Sequence, residues 1–362
     1  MSRIDSSEQA NESESSKISS SSERQRVQWV DYVKGIGIFL VVLGHAIRGI
    51  VGSSVLEPTA LVQFVDRWIY AFHMPLFFLV SGLFVQRSLR KPFNAFIVDK
   101  LQVLVYPYFL WSILQTIIQL ATYGNLKNSA SWASVLKIIY EPIMQFWFIY
   151  TLFIILILYG VAHRFGISCN YLLGLATLLY AASLADINFG SWGMLYLVRR
   201  NMIYFSIGAV LGSSRVLVRL REANTLVLLA IALGGYLGIT LIVAQPSLAE
   251  NPYIIPEIAL VGIAASIALS MLMERWNTVH FFELWGLLSL QIYVAHTIAS
   301  ASVRIGLQKV LGISEPLTHL ILGTAIGIYA PIALNQICQQ VGFKYMFSLK
   351  FRELPNEGGI KR

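Results

Sequence analysis

From about residue 27 onward the chain alternates between apolar runs and short polar segments, and the runs fall near 33–51, 64–86, 101–122, 145–162, 169–185, 195–213, 225–244, 254–273, 282–301 and 317–341. Roughly 20 apolar residues cross the hydrocarbon core of a bilayer as a helix, and a lipid-exposed backbone must satisfy its own polar groups. The pattern therefore predicts an all-α, polytopic transmembrane helix bundle of ten spans. Pro75 and Pro107 fall inside predicted spans, where a missing N–H predicts local kinks.

Residues 1–26 break the pattern, being rich in Ser, Glu and Gln, and we read them as a disordered polar tail. Residues 27–343 form one membrane domain, and 344–362 a short basic cytoplasmic tail. No charged segment followed by an apolar one opens the chain, so the first span is expected to direct membrane insertion. An even number of spans puts both termini on one side. Nineteen Lys and Arg then share that side, against Lys127, Lys137, Arg304 and Lys309 on the other. Such a bias marks the cytoplasmic face. The expected location is the plasma membrane, a bacterial inner membrane, as a multi-pass protein.

Composition strengthens this picture: 56% of the 362 residues are hydrophobic and 13% charged, against about 25% charged in soluble domains. The formal charge of +8 is accounted for by topology, so no nucleic-acid partner is expected. Cys169 and Cys338 lack the spaced partners of a disulfide framework or metal site, and no metal is expected.

Lys34 and His45 share one face of the first span, eleven residues and about 16 Å apart. Ionisable groups at membrane depth usually face a cavity or the bundle interior. A snorkelling Lys and a His bonded across helices are the structural alternatives. Gly35, Gly37 and Gly44 fit close helix packing, since no strand or phosphate-loop spacing surrounds them. His73, beside Met74 and Pro75, either bonds the carbonyl that Pro75 frees or lines an acceptor pocket. Ser81 and Gly82 read as a packing pair, with catalysis as the alternative. Ser289, Tyr293 and His296 form a polar stripe at i, i+4 and i+7 that either joins helices or binds substrate. Arg199 and Arg200 could hold a phosphate of a lipid-linked sugar or anchor at the interface, and Trp147 could contact substrate or join an aromatic belt. His163, His280 and His319 read as solvated or interfacial. Arg87, Arg90 and Lys91 form an inner basic cluster that topology explains, with a second donor contact as the alternative.

Several segments, in order, resemble the acyltransferase 3 family, nearest its fucose 4-O-acetylase-like members. They are Asp31 to His45, Phe72-His73-Met74-Pro75 through Ser81-Gly82, Lys100 through Pro107-Tyr108, Phe146-Trp147-Phe148, and Ser289 through Tyr293 to His296. The family pattern sets a basic residue before a His on the first span; Lys34 stands here where many relatives carry Arg. An ammonium lacks the bidentate fork of a guanidinium. The hydrolase-like domain fused to some relatives is lacking here, and both chain ends are unmatched. The resemblance implies acyl transfer, from acyl-coenzyme A in the cytosol to a sugar hydroxyl on a cell-surface or lipid-linked glycan. Acetyl-CoA or another acyl-CoA is then a donor substrate, with no permanently bound cofactor. The partners are that donor, the carbohydrate acceptor and membrane lipids. Acyl transfer to a hydroxyl needs a base, which selects His45, while Lys34 would hold coenzyme A phosphates. A transporter or flippase of a lipid-linked sugar suits the composition too, but it lacks a visible inverted repeat.

Overall fold

A computed structural model describes residues 27–123, 132–187, 190 and 192–350. The N-terminal tail 1–26, Lys127 and the last residues, 351–362, lie outside the described residues.

The helices are α1 (Gln28–Gly52), α2 (Ala60–Tyr70), α3 (His73–Leu83), α4 (Val85–Leu89), α5 (Phe93–Lys100), α6 (Tyr106–Tyr123), α7 (Trp132–Lys137), α8 (Trp147–Arg164) and α9 (Cys169–Leu184). There follow α10 (Gly193–Leu211), α11 (Val216–Glu222), α12 (Thr225–Val243), α13 (Pro246–Ala249), α14 (Ile255–Trp276), α15 (His280–Leu287), α16 (Ser289–Ile305) and α17 (Pro316–Gln340). The chain is an all-α, polytopic membrane bundle.

Among the described residues six segments are long and apolar enough to cross a bilayer, and counting each bent pair as one span raises this to eight. The bent pairs are α10 with α11, at 70°, and α15 with α16 and its extension to Val310, at 87°. The other two predicted spans are shorter than the sequence pattern implies. Helix α9 has 16 residues, and the run 64–86 divides into α2 and α3 at Ala71–Phe72.

The proline positions account for two of the interruptions. Pro75 lacks an N–H and its ring crowds the carbonyl four residues back, that of Ala71, where α2 stops. Pro107 sits at the second position of α6, and the turn before it, Leu101–Val105, is a π-helix. Pro75 thus lies in the first turn of a new helix, whereas Pro107 lies within one continuous span, Phe93–Ala121, where the π-helical turn is the local distortion.

Helix α1 occupies the middle, packing against α3, α14, α15, α16 and α17. Its Tyr32, Val33, Ile38 and Val42 are wholly buried. Helix α12 lies at the periphery, and Leu226, Leu233, Leu237 and Leu241 are each at least 60% exposed, an apolar face suited to lipid. Glycines set the closest contacts in the interior. A Cβ at Gly82 of α3 would collide with the Phe205 carbonyl of α10, and one at Gly208 of α10 with the Leu79 carbonyl of α3. Helices α1 and α15 meet the same way through Gly35 and Gly286. In a bundle whose helices gain little from leaving lipid, such close backbone approach is a main source of cohesion.

Gly208→Val should therefore cost at least about 1–3 kcal/mol, read as a lower melting temperature and loss of the monodisperse species in detergent. Gly234→Val on α12, where nothing lies within 4 Å of the added carbon, should leave both unchanged.

Candidate functional site

Helix α1 connects two chemically different ends of the bundle. At its start the Trp29 amide donates to Glu274 Oε1 at 3.3 Å, and Arg221 forks onto the same carboxylate at 2.9 and 3.0 Å. One turn on, Lys34 pairs with the buried Asp31 at 3.5 Å and stays about one-third exposed. At the far end Arg48 forks onto Asp66 of α2 at 2.7 and 2.9 Å, and its guanidinium stacks 3.2 Å from the centre of the Tyr70 ring. That cation–π contact fixes the Tyr70 ring over α1.

His45 lies one turn before Arg48, nearer the far end than Lys34, and it is half-buried. Its ring stands 5.1 Å from that of His296 and 6.4 Å from that of Tyr70, which in turn meets His73 edge-on at 4.6 Å. Three imidazoles and a phenol from α1, α2, α3 and α16 thus form one cluster.

The partners decide which nitrogen carries the proton. His296 Nδ1 lies 2.8 Å from the Tyr293 carbonyl and 3.1 Å from that of Ile292. A carbonyl only accepts, so Nδ1 must donate, and in the neutral ring Nε2 keeps a lone pair. That Nε2 is buried without a hydrogen-bond partner, as is the Tyr70 hydroxyl. Buried polar atoms are normally paired, so two orphans around the same imidazole mark a place for a polar guest. His73 Nδ1 likewise donates to the Ile69 carbonyl at 2.7 Å across the break between α2 and α3. The carbonyl it bonds is that of Ile69 rather than Ala71, the one four residues before Pro75.

A polar layer supports this cluster. The Tyr293 hydroxyl donates to the Gln145 backbone carbonyl, while Gln145 Nε2 donates to Gln115 Oε1 and Thr297 Oγ1, both at 2.9 Å. Gln145 follows Met144, whose φ of 43° is unusual for a non-glycine residue. Sequence reasoning missed Arg48, Asp66, Tyr70, Gln115, Gln145 and Thr297. Asp66 was the best available signal, a carboxylate beside an apolar run with Tyr70 one turn later.

Other sequence-selected residues lie apart. Arg199 donates to the Ile187 carbonyl at 2.6 Å, and Arg200 sits 5.4 Å from the Tyr196 ring and 5.9 Å from that of Tyr180. Trp147 packs inward against Phe78 and Phe148, at 6.2 and 6.4 Å. The Tyr293 hydroxyl is committed to Gln145, leaving its ring to pack on Phe148 at 5.6 Å. His163 and His280 are exposed. His319, expected to be solvated or interfacial, is instead buried, with Nε2 bonded to the Ile313 carbonyl at 2.8 Å.

A half-buried imidazole beside a second one with a free lone pair can accept a proton from a hydroxyl and hold the resulting charge briefly. The chain matches the acyltransferase 3 model, described as an acyltransferase domain, over residues 27–336. It is 30% identical over 137 residues to the nodulation protein NolL of Mesorhizobium japonicum, covering 38% of this chain and 36% of that one. To the nodulation protein NolL of Sinorhizobium fredii it is 28% identical over 152 residues, 42% of this chain and 40% of that one. The alignments thus span well under half of these relatives. No solved structure matches the chain. The family match runs from the start of α1 into α17 and includes every member of the imidazole cluster, and the chain belongs to the acyltransferase 3 family of membrane acyltransferases.

Proposed function

We propose that the chain is an O-acyltransferase of the plasma membrane, carrying an acyl group, acetyl as the first choice, from acyl-CoA to a hydroxyl of a cell-surface or lipid-linked carbohydrate. The observation that supports it best is the His45 ring beside two buried, partnerless polar atoms, His296 Nε2 and the Tyr70 hydroxyl. Family membership favours transfer over the transport of a lipid-linked sugar.

In this reading the acceptor hydroxyl enters beside His45. Its oxygen attacks the thioester carbonyl carbon as His45 takes the proton; the C–O bond forms, the C–S bond breaks, and coenzyme A leaves as a thiolate that recovers the proton. His296 Nε2 orients the acceptor hydroxyl or His45 itself by accepting a hydrogen bond. Arg48 and Asp66 hold Tyr70 against the cluster. Lys34, about 16 Å back along α1, meets the donor from the cytosolic side. Its pairing with Asp31 means that a phosphate must share the ammonium with a carboxylate, so the charge helps binding more than chemistry.

The first test is mass spectrometry of envelope glycans from cells with and without the gene, where one acyl mass increment should vanish with the gene. An unchanged glycan profile would remove the carbohydrate reading. His45→Ala, at equal membrane abundance, should lower kcat for coenzyme A release by roughly 10²–10⁴. His296→Leu removes the hydrogen-bond acceptor and should lower kcat by about tenfold with KM little changed, while His296→Gln, which keeps an acceptor, should retain most of the activity. Lys34→Ala should instead raise the donor KM, and Lys34→Arg should recover most of that loss. Wild-type turnover by the His45 variant would defeat the assignment of the base.

A further inference from the structure

The π-helical turn Leu101–Val105 has a structural consequence at the basic end of the bundle. Its closing bond runs from the Tyr106 amide to the Leu101 carbonyl. The next amide in that register would come from Pro107, which has none, so the Gln102 carbonyl is left to outside donors. The C-terminal segment supplies them: the Leu349 amide and the Ser348 hydroxyl each donate to Gln102 O at 3.2 Å. The same segment is anchored by Phe347, buried and stacked on Trp111 at 5.4 Å, and by Trp111 Nε1 donating to the Met346 carbonyl at 3.0 Å.

This strap delivers Lys350 to Asp99, 251 residues away in sequence. Asp99 already holds Lys91 and Lys100, each at 3.2 Å, and its side chain is only 13% exposed. One carboxylate therefore gathers three ammonium groups and leaves two positive charges in excess. Lys91 and Lys350 are each 44% exposed, so both ammonium groups are reachable from outside the bundle. Arg90, next to Lys91 in the chain, lines a cavity of about 330 Å³ with His163, Gln86, Leu89, Tyr159 and Ser168 among its other walls. Helix α5 also packs on α8 there, Phe93 and Phe96 lying against Gly160 and Phe93 against Arg164.

We propose that Lys91, Lys100 and Lys350, gathered by Asp99, form a binding site for the phosphate of a phosphate ester. Anion recognition by clustered ammonium groups needs their mutual repulsion to be relieved beforehand, and Asp99 does this while leaving a net positive field. The phosphate can belong to a soluble nucleotide, such as the adenosine phosphates of an acyl-CoA donor, or to an anionic phospholipid headgroup at the same face. The site concerns binding alone and does not depend on His45 or on any acyl transfer.

The test uses the full chain in nanodiscs. In neutral phosphatidylcholine discs, adenosine 3′,5′-bisphosphate binding is measured by calorimetry; in discs containing phosphatidylglycerol, retained anionic lipid is counted by native mass spectrometry. Removing each ammonium should weaken one of these probes about fivefold, so Lys91→Ala with Lys350→Ala should weaken it roughly 25-fold, and Lys350→Arg should retain most of the binding. Lys91→Ala alone leaves the strap intact and guards against misfolding of the double variant. Loss of the nucleotide assigns the site to a soluble phosphate ester, and loss of retained lipid assigns it to a headgroup. Wild-type binding of neither probe, or equal binding by wild type and the double variant in both arms, overturns the proposal. Because His45→Ala should bind either probe normally, a failed transferase assay and a failed phosphate site give different results.

Discussion

A backbone amide or carbonyl that faces lipid has no water to bond, so each must find a partner inside the protein. Every departure from regular helix in this bundle therefore calls for a substitute donor or acceptor. The break before α3 is bridged by the His73 imidazole on the Ile69 carbonyl, and the Gln102 carbonyl of the π-turn before α6 accepts from the amide and hydroxyl of the C-terminal strap. The sharp bend between α15 and α16 keeps its ladder through the Leu288 amide on Leu284 and the Ile292 amide on Leu288. Interruptions of this kind fix particular side chains in place, and the polar groups around His45 and Asp99 are attached to them.

The same constraint separates the molecule into regions with different work. The interior of α1, α3, α10 and α15 coheres by glycine-mediated backbone contact, which leaves little freedom for those helices to slide. On that rigid frame the imidazole cluster can keep partnerless atoms, because the surrounding packing fixes its tautomers and ring positions. Arg48 and Asp66 close the cluster on one side, and the Gln115, Gln145 and Thr297 layer does so on another. A site that holds a buried, partnerless nitrogen on the ring next to His45 is organised before substrate arrives, which favours catalysis over mere adhesion between helices.

Distance along α1 sets the geometry of the proposed reaction. Lys34 stands near the basic end, His45 toward the other, and no side-chain movement spans the gap of about 16 Å. In the proposed reaction, donor recognition and proton transfer would therefore fall to different parts of the bundle. The ion pair of Lys34 with Asp31 makes it a weaker phosphate anchor than an isolated cation would be, which gives the second basic cluster around Asp99 its interest.

Much was legible from residue order alone. The apolar runs fixed an all-helical membrane bundle because the length needed to cross hydrocarbon is a property of one segment. The Lys34 to His45 spacing needed only the helical rise, and Gly82 could be read as a packing residue from its lack of a side chain. Other features depended on where the helices pack. Nothing in the order of residues told which partner Asp66 would take, that His296 Nε2 would be left without one, or that Trp147 would face inward. Asp66 and Arg48 lie 18 positions apart on different helices, and Lys350 reaches Asp99 across 251. Periodicity reports which face of a helix is apolar; it holds no information about which face of another helix will meet it, and the chemistry of this protein arises at those meetings.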